Sequence, residues 1–210
     1  MKKIVVCLAV IIGLIMARSV LAEGKKTAAL TQLMIVADHS FWENKSIPIT
    51  GYASATYYYN LNSGYSAIYG YAGPKFKLNK IGIYTLAMIR ADAYAWAPGP
   101  SLWLDYSHKK DYWFAEFDYY VPWLTTSHDE TAALLPHQYY SAVEYNRSFK
   151  DNIRLGWMVE TFGAFNQNKP SELATGPTVS FKKFKVMAFY DTTPLVEGAD
   201  YLGLRFKLFL

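Results

Sequence analysis

Apolar and polar residues alternate with a period of two along most of the chain after about residue 50. The clearest segment is 112–124, where one set of alternate positions carries Trp113, Ala115, Phe117, Tyr119, Val121 and Trp123. The positions between them carry Tyr112, Phe114, Glu116, Asp118 and Tyr120. A period of two predicts a β-strand. An apolar face with tryptophan at both ends is typical of a strand that faces lipid between two aromatic girdles.

Further segments alternate in the same way, with less contrast between the two faces. Together with 112–124, the predicted strands are 51–60, 66–78, 81–92, 95–107, 138–149, 153–165, 175–182, 184–192 and 200–210. Short charged turns and longer links alternate between them, as they do at the periplasmic and extracellular rims of outer-membrane barrels. We therefore predict an all-β protein, a transmembrane antiparallel up-and-down β-barrel of ten strands, with eight or twelve as alternatives and both ends periplasmic.

The segment 23–50 is ambiguous. Leu30, Leu33, Met34 and Ala37 have the spacing of a short amphipathic helix. The segment is predicted to be a periplasmic or interfacial helix, a plug in the barrel, or an extra strand. The barrel itself is assigned to 51–210.

The first 22 residues have the features of a Sec-type signal peptide. Lys2 and Lys3 precede a nearly unbroken apolar stretch over 4–16, and Val20 and Ala22 occupy the −3 and −1 positions of a cleavage site. We predict cleavage after Ala22. The mature protein is therefore expected to be exported to the bacterial outer membrane.

Removal of this segment changes the composition. The only cysteine, Cys7, is lost, so disulfides and thiol chemistry are not expected in the mature chain. Lys2, Lys3 and Arg18 are three of the 21 basic residues, which leaves 18 against 17 acidic residues. The charge balance therefore indicates no nucleic-acid partner. The remaining chain has no apolar run long enough for a membrane-spanning helix, and only helices and closed barrels satisfy their backbone in lipid.

The last ten residues alternate to the end of the chain. Gly203, Phe206 and Leu208 resemble the terminal-strand signal of bacterial outer-membrane proteins, although the chain ends in Leu210 where phenylalanine is usual. The resemblance covers a class and no specific family. It implies the barrel-assembly machinery as a partner during biogenesis, and outer-membrane lipid and lipopolysaccharide as the surroundings.

The strand pattern assigns side chains to the two faces of the barrel. The membrane girdle is predicted to contain Trp96, Trp113, Trp123 and Trp157. The lumen is predicted to hold a charge network of Lys75, Lys77, Arg90, Asp105, Glu116, Asp118, Glu144, Arg154, Glu160, Lys182, Lys185, Arg205 and Lys207. The inward aromatic residues are predicted to be Tyr69, Tyr71, Trp103, Tyr112 and Tyr140. Basic residues concentrate near the periplasmic end and acidic ones nearer mid-height.

Gly-Pro occurs at three equivalent strand positions, 73–74, 99–100 and 176–177. Proline cannot donate a hydrogen bond to the sheet. We predict three bulges or kinks that help to curve a narrow barrel, with each glycine facing inward. A less favoured interpretation is that these glycines line a ligand path.

The inward charges support two functions. The first is a narrow channel, or a barrel that binds a small solute, with a charged and largely filled lumen; an anion-attracting mouth would precede an acidic constriction. The second is a structural or surface-interaction barrel whose lumen is closed by ion pairs.

An outer-membrane enzyme that modifies lipid A or cleaves proteins is the third possibility. His128, Asp129, Glu130 and His137 form the only candidate cluster, in the longest loop. No known catalytic motif surrounds them, so no catalytic residue is assigned. No metal site and no cofactor are expected.

Overall fold

The computed structural model describes residues 28–44, 47–93, 95–121, 124–125, 136–150, 152–192 and 200–210. These residues form strands and short connections. The strands are β1 (Ala28–Asn44), β2 (Ile49–Asn60), β3 (Ser66–Leu78), β4 (Ile81–Asp92), β5 (Ala95–His108), β6 (Asp111–Tyr120), β7 (Leu124–Thr125), β8 (Gln138–Lys150), β9 (Ile153–Ala164), β10 (Glu172–Phe181), β11 (Phe184–Thr192) and β12 (Tyr201–Phe209). Among the described residues, no helix is long and apolar enough to cross a membrane.

Eleven strands form a closed barrel, and the two-residue β7 pairs with the start of β5. Neighbours in the chain pair antiparallel, and β6 pairs with β8. The barrel closes between β1 and β12, which pair in parallel from Ala28 opposite Tyr201 to Val36 opposite Phe209. The prediction of a β-barrel is therefore confirmed, whereas the prediction of ten strands, all antiparallel, is wrong.

The extra strand is β1, from the segment whose form was ambiguous in sequence. It is 17 residues long and pairs with β2 along most of its length, from Gln32 opposite Asn60 to Asn44 opposite Ile49. Because β1 runs parallel to β12, the first described strand begins at the end of the barrel opposite to where β12 finishes. The expectation that the first and last strands place both ends on one side is therefore wrong for the described strands.

The two ends of the barrel differ in their connections. The connections after β3, β5 and β10 are tight turns with positive φ at Asn79 (59°), Lys109 (56°) and Lys182 (52°). Positive φ is what two-residue hairpins require to match the twist of their strands. We call this end, which also holds the connections after β1 and β8, the turn end. The opposite end, with the connections after β2, β4, β6, β9 and β11, is the loop end.

Side chains alternate between the lumen and the outer surface. In β4 the inward Tyr84, Leu86 and Met88 are buried, and the intervening Thr85 and Ala87 are exposed. Large apolar side chains are exposed on the outer surface of most strands; they include Ile68, Leu102, Leu104, Phe117, Val143, Leu155, Trp157 and Leu173. A wide apolar surface on a closed barrel is what contact with lipid requires.

The Gly-Pro pairs break the hydrogen-bond ladder on one side only. Neither residue of 73–74, 99–100 or 176–177 pairs with the following strand, although all six pair with the preceding one. At 73–74 and 176–177 pairing resumes in the same register, so these two sites are not bulges. At 99–100 the ladder with β6 stops at Ser101, and pairing resumes with β7 one position out of register, at Trp96 opposite Leu124. Register shifts also lie at Ser40/Trp42 and Ser148/Lys150. A Cβ built on Gly99 would lie 1.6 Å from the carbonyl oxygen of Tyr119. The inward glycine therefore permits a close approach of two backbones.

Candidate functional site

The lumen contains a cavity of about 1180 Å³ that is lined by side chains from all eleven barrel strands. At the loop end its walls include Asn60, Ser63 and Glu172, and at the turn end they include Lys110 and Asn152. The lining therefore extends from one end of the barrel to the other. Two parts of the lumen wall differ in chemistry: an aromatic half, formed by β2–β6, and a charged half, formed by β8–β12.

Trp103 lies at the centre of the aromatic half. Its ring is 4.7 Å from that of Tyr71, 5.8 Å from those of Tyr84 and Phe114, and 5.9 Å from that of Tyr52, measured between centroids. Edge and tilted contacts at these distances stabilise aromatic pairs beyond simple burial. The indole nitrogen of Trp103 is buried and has no hydrogen-bond partner among the described residues. This half of the lumen is therefore filled by packed rings.

A buried carboxylate connects the rings to each other. Asp118 is fully buried and accepts hydrogen bonds from the hydroxyls of Tyr71 at 3.0 Å, Tyr120 at 3.2 Å and Ser101 at 2.5 Å. A buried charge is tolerated when several donors satisfy it. Asp118 therefore holds side chains of β3, β5 and β6 together behind the cavity surface.

The charged half is crossed by two ion pairs between strands that are three places apart. In the first, Arg205 of β12 donates two hydrogen bonds to Glu160 of β9, one of them 2.6 Å long. Arg205 also donates to Gln32 at 2.6 Å, and the Tyr140 hydroxyl donates to Glu160 at 2.9 Å. A forked contact with additional donors is the arrangement that offsets the desolvation of a buried pair.

The second ion pair lies closer to the turn end. Lys185 of β11 donates to Glu144 of β8, and both side chains are nearly buried. The Asn146 amide donates to Glu144 at 2.8 Å and accepts from the Thr178 hydroxyl at 3.2 Å. These contacts link β8, β10 and β11 across one side of the lumen.

The turn end of the cavity is basic. Five lining cations have no carboxylate oxygen within ion-pair distance in the part of the chain that the structure describes; they are Lys110, Lys150, Arg154, Lys182 and Lys207. Arg154 lies over the ring of Tyr112, 5.6 Å from its centroid. Deeper in the aromatic half, Lys75 is paired with Asp105 at 3.2 Å, and Tyr84 donates to the same carboxylate at 2.6 Å.

The loop end combines one ion pair with two acidic side chains. Arg90 pairs with Asp92 at 3.2 Å and donates to Gln138 at 3.2 Å. Tyr65, just before β3, donates to Asp92 at 2.8 Å, and burial is the main cause that raises the pKa of its hydroxyl above the usual range. Glu172 lines the cavity, and Asp191 is buried with one carboxylate oxygen that has no hydrogen-bond partner in the described part of the chain.

Most of the charges assigned to the lumen from sequence line this cavity. The lining ones are Arg90, Glu116, Glu144, Arg154, Glu160, Lys182, Lys185, Arg205 and Lys207. Asp118 lies behind the tyrosines, Lys75 and Asp105 pair with each other, and Lys77 is exposed at the turn end. The predicted inward aromatic residues also line the cavity; they are Tyr69, Tyr71, Trp103, Tyr112 and Tyr140.

The other predicted sites lie elsewhere. Trp96, Trp113 and Trp157 point outward and are about half exposed, and Trp123 lies outside the described residues. His137 is exposed at the loop end, where its ring stacks on Tyr119 and its Nδ1 is 2.9 Å from the Tyr119 hydroxyl. Residues 128–130 and 1–22 also lie outside the described residues.

Sequence reasoning missed several lining residues. Gln32 and Asp38 belong to β1, and Tyr52 and Glu172 to the ends of strands whose alternation is weak. No polarity signal locates Gln32 and Asp38, because the inward Met34 and Val36 between them are as apolar as the outward residues of the same segment. In the described parts of the chain, no group of three or more His, Cys, Asp or Glu side chains could hold a metal ion.

The chain is similar in fold to a solved structure described as "KdgM porin". The TM-score is 0.52 at 10% sequence identity, and the match covers 75% of this chain and 81% of that chain. No family model and no curated protein matches the chain. The barrel therefore has a porin-like fold, and at this identity the likeness concerns the fold alone.

Proposed function

We propose that this protein is a narrow porin-like channel of the bacterial outer membrane that passes or binds a small solute. The observation that carries the proposal is the lumen cavity, whose lining runs from Ser63 and Glu172 at the loop end to Lys110 and Asn152 at the turn end. A small barrel with a purely structural role is expected to fill its interior with side chains. Ion pairs and aromatic rings fill parts of the lumen, which supports a narrow path rather than a wide aqueous pore.

The outer surface and the termini support the membrane assignment. The exposed apolar band on the strands and the outward Trp96, Trp113 and Trp157 fit contact with outer-membrane lipid and lipopolysaccharide. We propose export by the signal peptide 1–22, cleavage after Ala22, and recognition of β12 by the barrel-assembly machinery. Short turns are usual at the periplasmic rim, so the turn end is assigned to the periplasm and the loop end to the cell exterior.

The charges along the lumen suggest how the channel handles a solute. Among the described residues, five lining cations without a carboxylate in ion-pair distance surround the turn end, and Glu116, which also has no ion-pair partner there, follows at mid-height. A ring of cations in a low-dielectric wall attracts anions, and carboxylates further along oppose their passage. We propose an anion-attracting mouth followed by an acidic constriction.

Planar-bilayer recording of the purified mature barrel tests the proposal. The mature chain has no cysteine, so single cysteines can be introduced without background. Thr56 is buried and lines the cavity, whereas Ala55 faces outward on the same strand. We expect Thr56→Cys channels to lose conductance when an anionic methanethiosulfonate reagent reacts, and Ala55→Cys channels to keep it.

Two outcomes would overturn the channel function. The first is a folded barrel that inserts into bilayers and never conducts. The second is conductance that falls equally for the Ala55→Cys and Thr56→Cys variants, because the current would then not pass through the lumen. Either result would favour a structural or surface-interaction barrel closed by its ion pairs.

A further inference from the structure

The lining charges that have no ion-pair partner in the described ranges differ in sign along the barrel axis. At the turn end five of them are cations, namely Lys110, Lys150, Arg154, Lys182 and Lys207, and one is the carboxylate of Asp38 on β1, so the net charge there is positive. The other lining carboxylates that have no ion-pair partner among the described residues lie further along the barrel: Glu116 of β6 is at mid-height, and Glu172 is the first residue of β10, at the loop end. Asp191, also at the loop end, adds a buried carboxylate.

The paired charges do not alter this separation. Glu160 with Arg205, Glu144 with Lys185 and Arg90 with Asp92 each join one cation to one carboxylate at nearly the same height. Each ion pair therefore adds almost no net charge to the wall of the lumen. The axial field is therefore set by the unpaired groups, which are positive at the turn end and negative towards the loop end.

We propose that this axial separation makes the lumen an ionic rectifier, in which the lysines of the turn-end mouth and the carboxylates towards the loop end together set the direction of easier current. The inference rests on the proposed channel function. Fixed charge concentrates its counter-ions, so anions accumulate at the turn end and cations at the loop end.

The direction of rectification follows from these two populations. When the loop side is positive, cations enter from the loop end while anions enter from the turn end, and both fill the lumen. When the loop side is negative, both populations are drawn out of the lumen and its conductance falls. We expect about a twofold ratio of currents at equal and opposite voltages in ~0.1 M salt, where the Debye length is about 10 Å, and almost none at ~1 M, where it is about 3 Å.

Two of the turns provide a matched pair of variants. Lys110 and Lys182 line the cavity, whereas their chain neighbours Lys109 and Lys183 do not. One lysine of each type has positive φ, Lys182 in the lining pair and Lys109 in the control pair. The double variants Lys110→Gln/Lys182→Gln and Lys109→Gln/Lys183→Gln therefore remove the same charge from the same turns with the same backbone demand.

Single-channel current–voltage curves of the two double variants and the native barrel test the inference. Orientation is read from Ser63→Cys channels carrying biotin at the exposed loop end, because streptavidin blocks them from that side only. We expect the lining variant to lose about half of the low-salt rectification and the control variant to keep it.

The outcomes separate this inference from the channel function. A conducting native barrel with symmetric curves at low salt would overturn the inference and leave the channel intact. Equal loss in both double variants, or larger current with the loop side negative, would also overturn it. A barrel that does not conduct at all would instead count against the proposed function itself.

Discussion

The aromatic half and the charged half of the lumen use inward side chains in opposite ways. In the aromatic half, four rings surround Trp103 at centroid distances of 4.7 to 5.9 Å, and the carboxylate of Asp118 lies behind them. In the charged half, the ion pairs Glu144–Lys185 and Glu160–Arg205 span the wall and leave the cavity between them and the opposite side. The packed rings of the aromatic half exclude water, whereas the charged half places ionised side chains beside the cavity.

The difference indicates a division of roles within one barrel. Packed rings contribute through area and dispersion, which depend on shape and not on salt. Charges beside water contribute less to folding, because solvent screens them, but they set which ions the lumen attracts. We therefore expect substitutions in the aromatic half to change stability more than conduction, and substitutions of unpaired charges to do the reverse.

The largest expected effect is that of Trp103→Ala. Removal of a buried ring in contact with four others leaves a cavity, and such substitutions cost about 3–5 kcal/mol. We expect the free energy of unfolding to fall by about 4 kcal/mol, measured by urea titration of barrels folded in phospholipid vesicles.

Trp103→Phe is the control, because it keeps a ring among the same neighbours and should lose much less stability. Ion selectivity of Trp103→Ala channels should remain that of the native barrel. If Trp103→Ala lost less stability than Trp103→Phe, or reversed the ion selectivity, the aromatic half would not have the mainly structural role proposed for it.

Glu160→Ala should rank second. It leaves the nearly buried Arg205 without its forked partner, and removal of one member of a buried pair costs about 3–5 kcal/mol. Both side chains line the cavity, so we expect the lower end of this range, about 3 kcal/mol, in the same urea titration.

The double variant Glu160→Ala/Arg205→Ala checks the cause of that loss. If the cost arises from the unpaired cation, the double variant should be more stable than the sum of the two single variants predicts. If the stability losses of the two single variants simply add in the double variant, the two side chains do not act as a pair. The ion pair would then contribute nothing to the charged half beyond what each side chain contributes alone.

Gly99→Ala should lower the free energy of unfolding by an intermediate amount, because it disturbs the backbone packing of the aromatic half. A new Cβ would lie 1.6 Å from the carbonyl oxygen of Tyr119, so β5 and β6 must separate. Overpacking of this kind costs about 1–3 kcal/mol, and we expect about 2 kcal/mol.

Gly70→Ala is its matched control, since the added Cβ would meet only a methyl group of Ile89 at 3.3 Å. Equal stability of the two variants would mean that the Gly-Pro break is not a point of close backbone approach.

Sequence alternation predicted the strands from residue 51 onwards well, because the outer face of each strand is apolar and the inner face is mixed. It was weakest for β1. The inward positions of β1 include Met34 and Val36 beside Gln32 and Asp38, so its two faces differ little in polarity. Leu30, Leu33, Met34 and Ala37 happen to fit a helical spacing as well. The strand count was therefore one too low, and the parallel closure was not expected.

The sequence also indicated which charges face inward but not which of them meet. Whether a side chain points into the lumen depends only on whether its position in the strand is odd or even, which can be read locally from the sequence. The contacts Glu160–Arg205 and Glu144–Lys185 join residues 45 and 41 positions apart. They depend on strand order and register around a closed barrel, which alternation does not encode.

The smallest stability loss is expected for an ion pair outside the lumen, which can be compared with the same kind of pair inside it. Arg147 and Asp111 pair at 3.5 Å on the outer surface of the turn end, and the Arg147 side chain is 65% exposed. Exposed pairs contribute about 0.2–1 kcal/mol because water screens the charges and the side chains lose conformational freedom. We expect Arg147→Ala to lower the free energy of unfolding by about 0.5 kcal/mol, and Arg205→Ala by several times more. Urea titrations at low and high salt measure both. A similar loss for the two variants would mean that burial in the charged half adds nothing, and that the lumen wall and the outer rim hold their ion pairs equally.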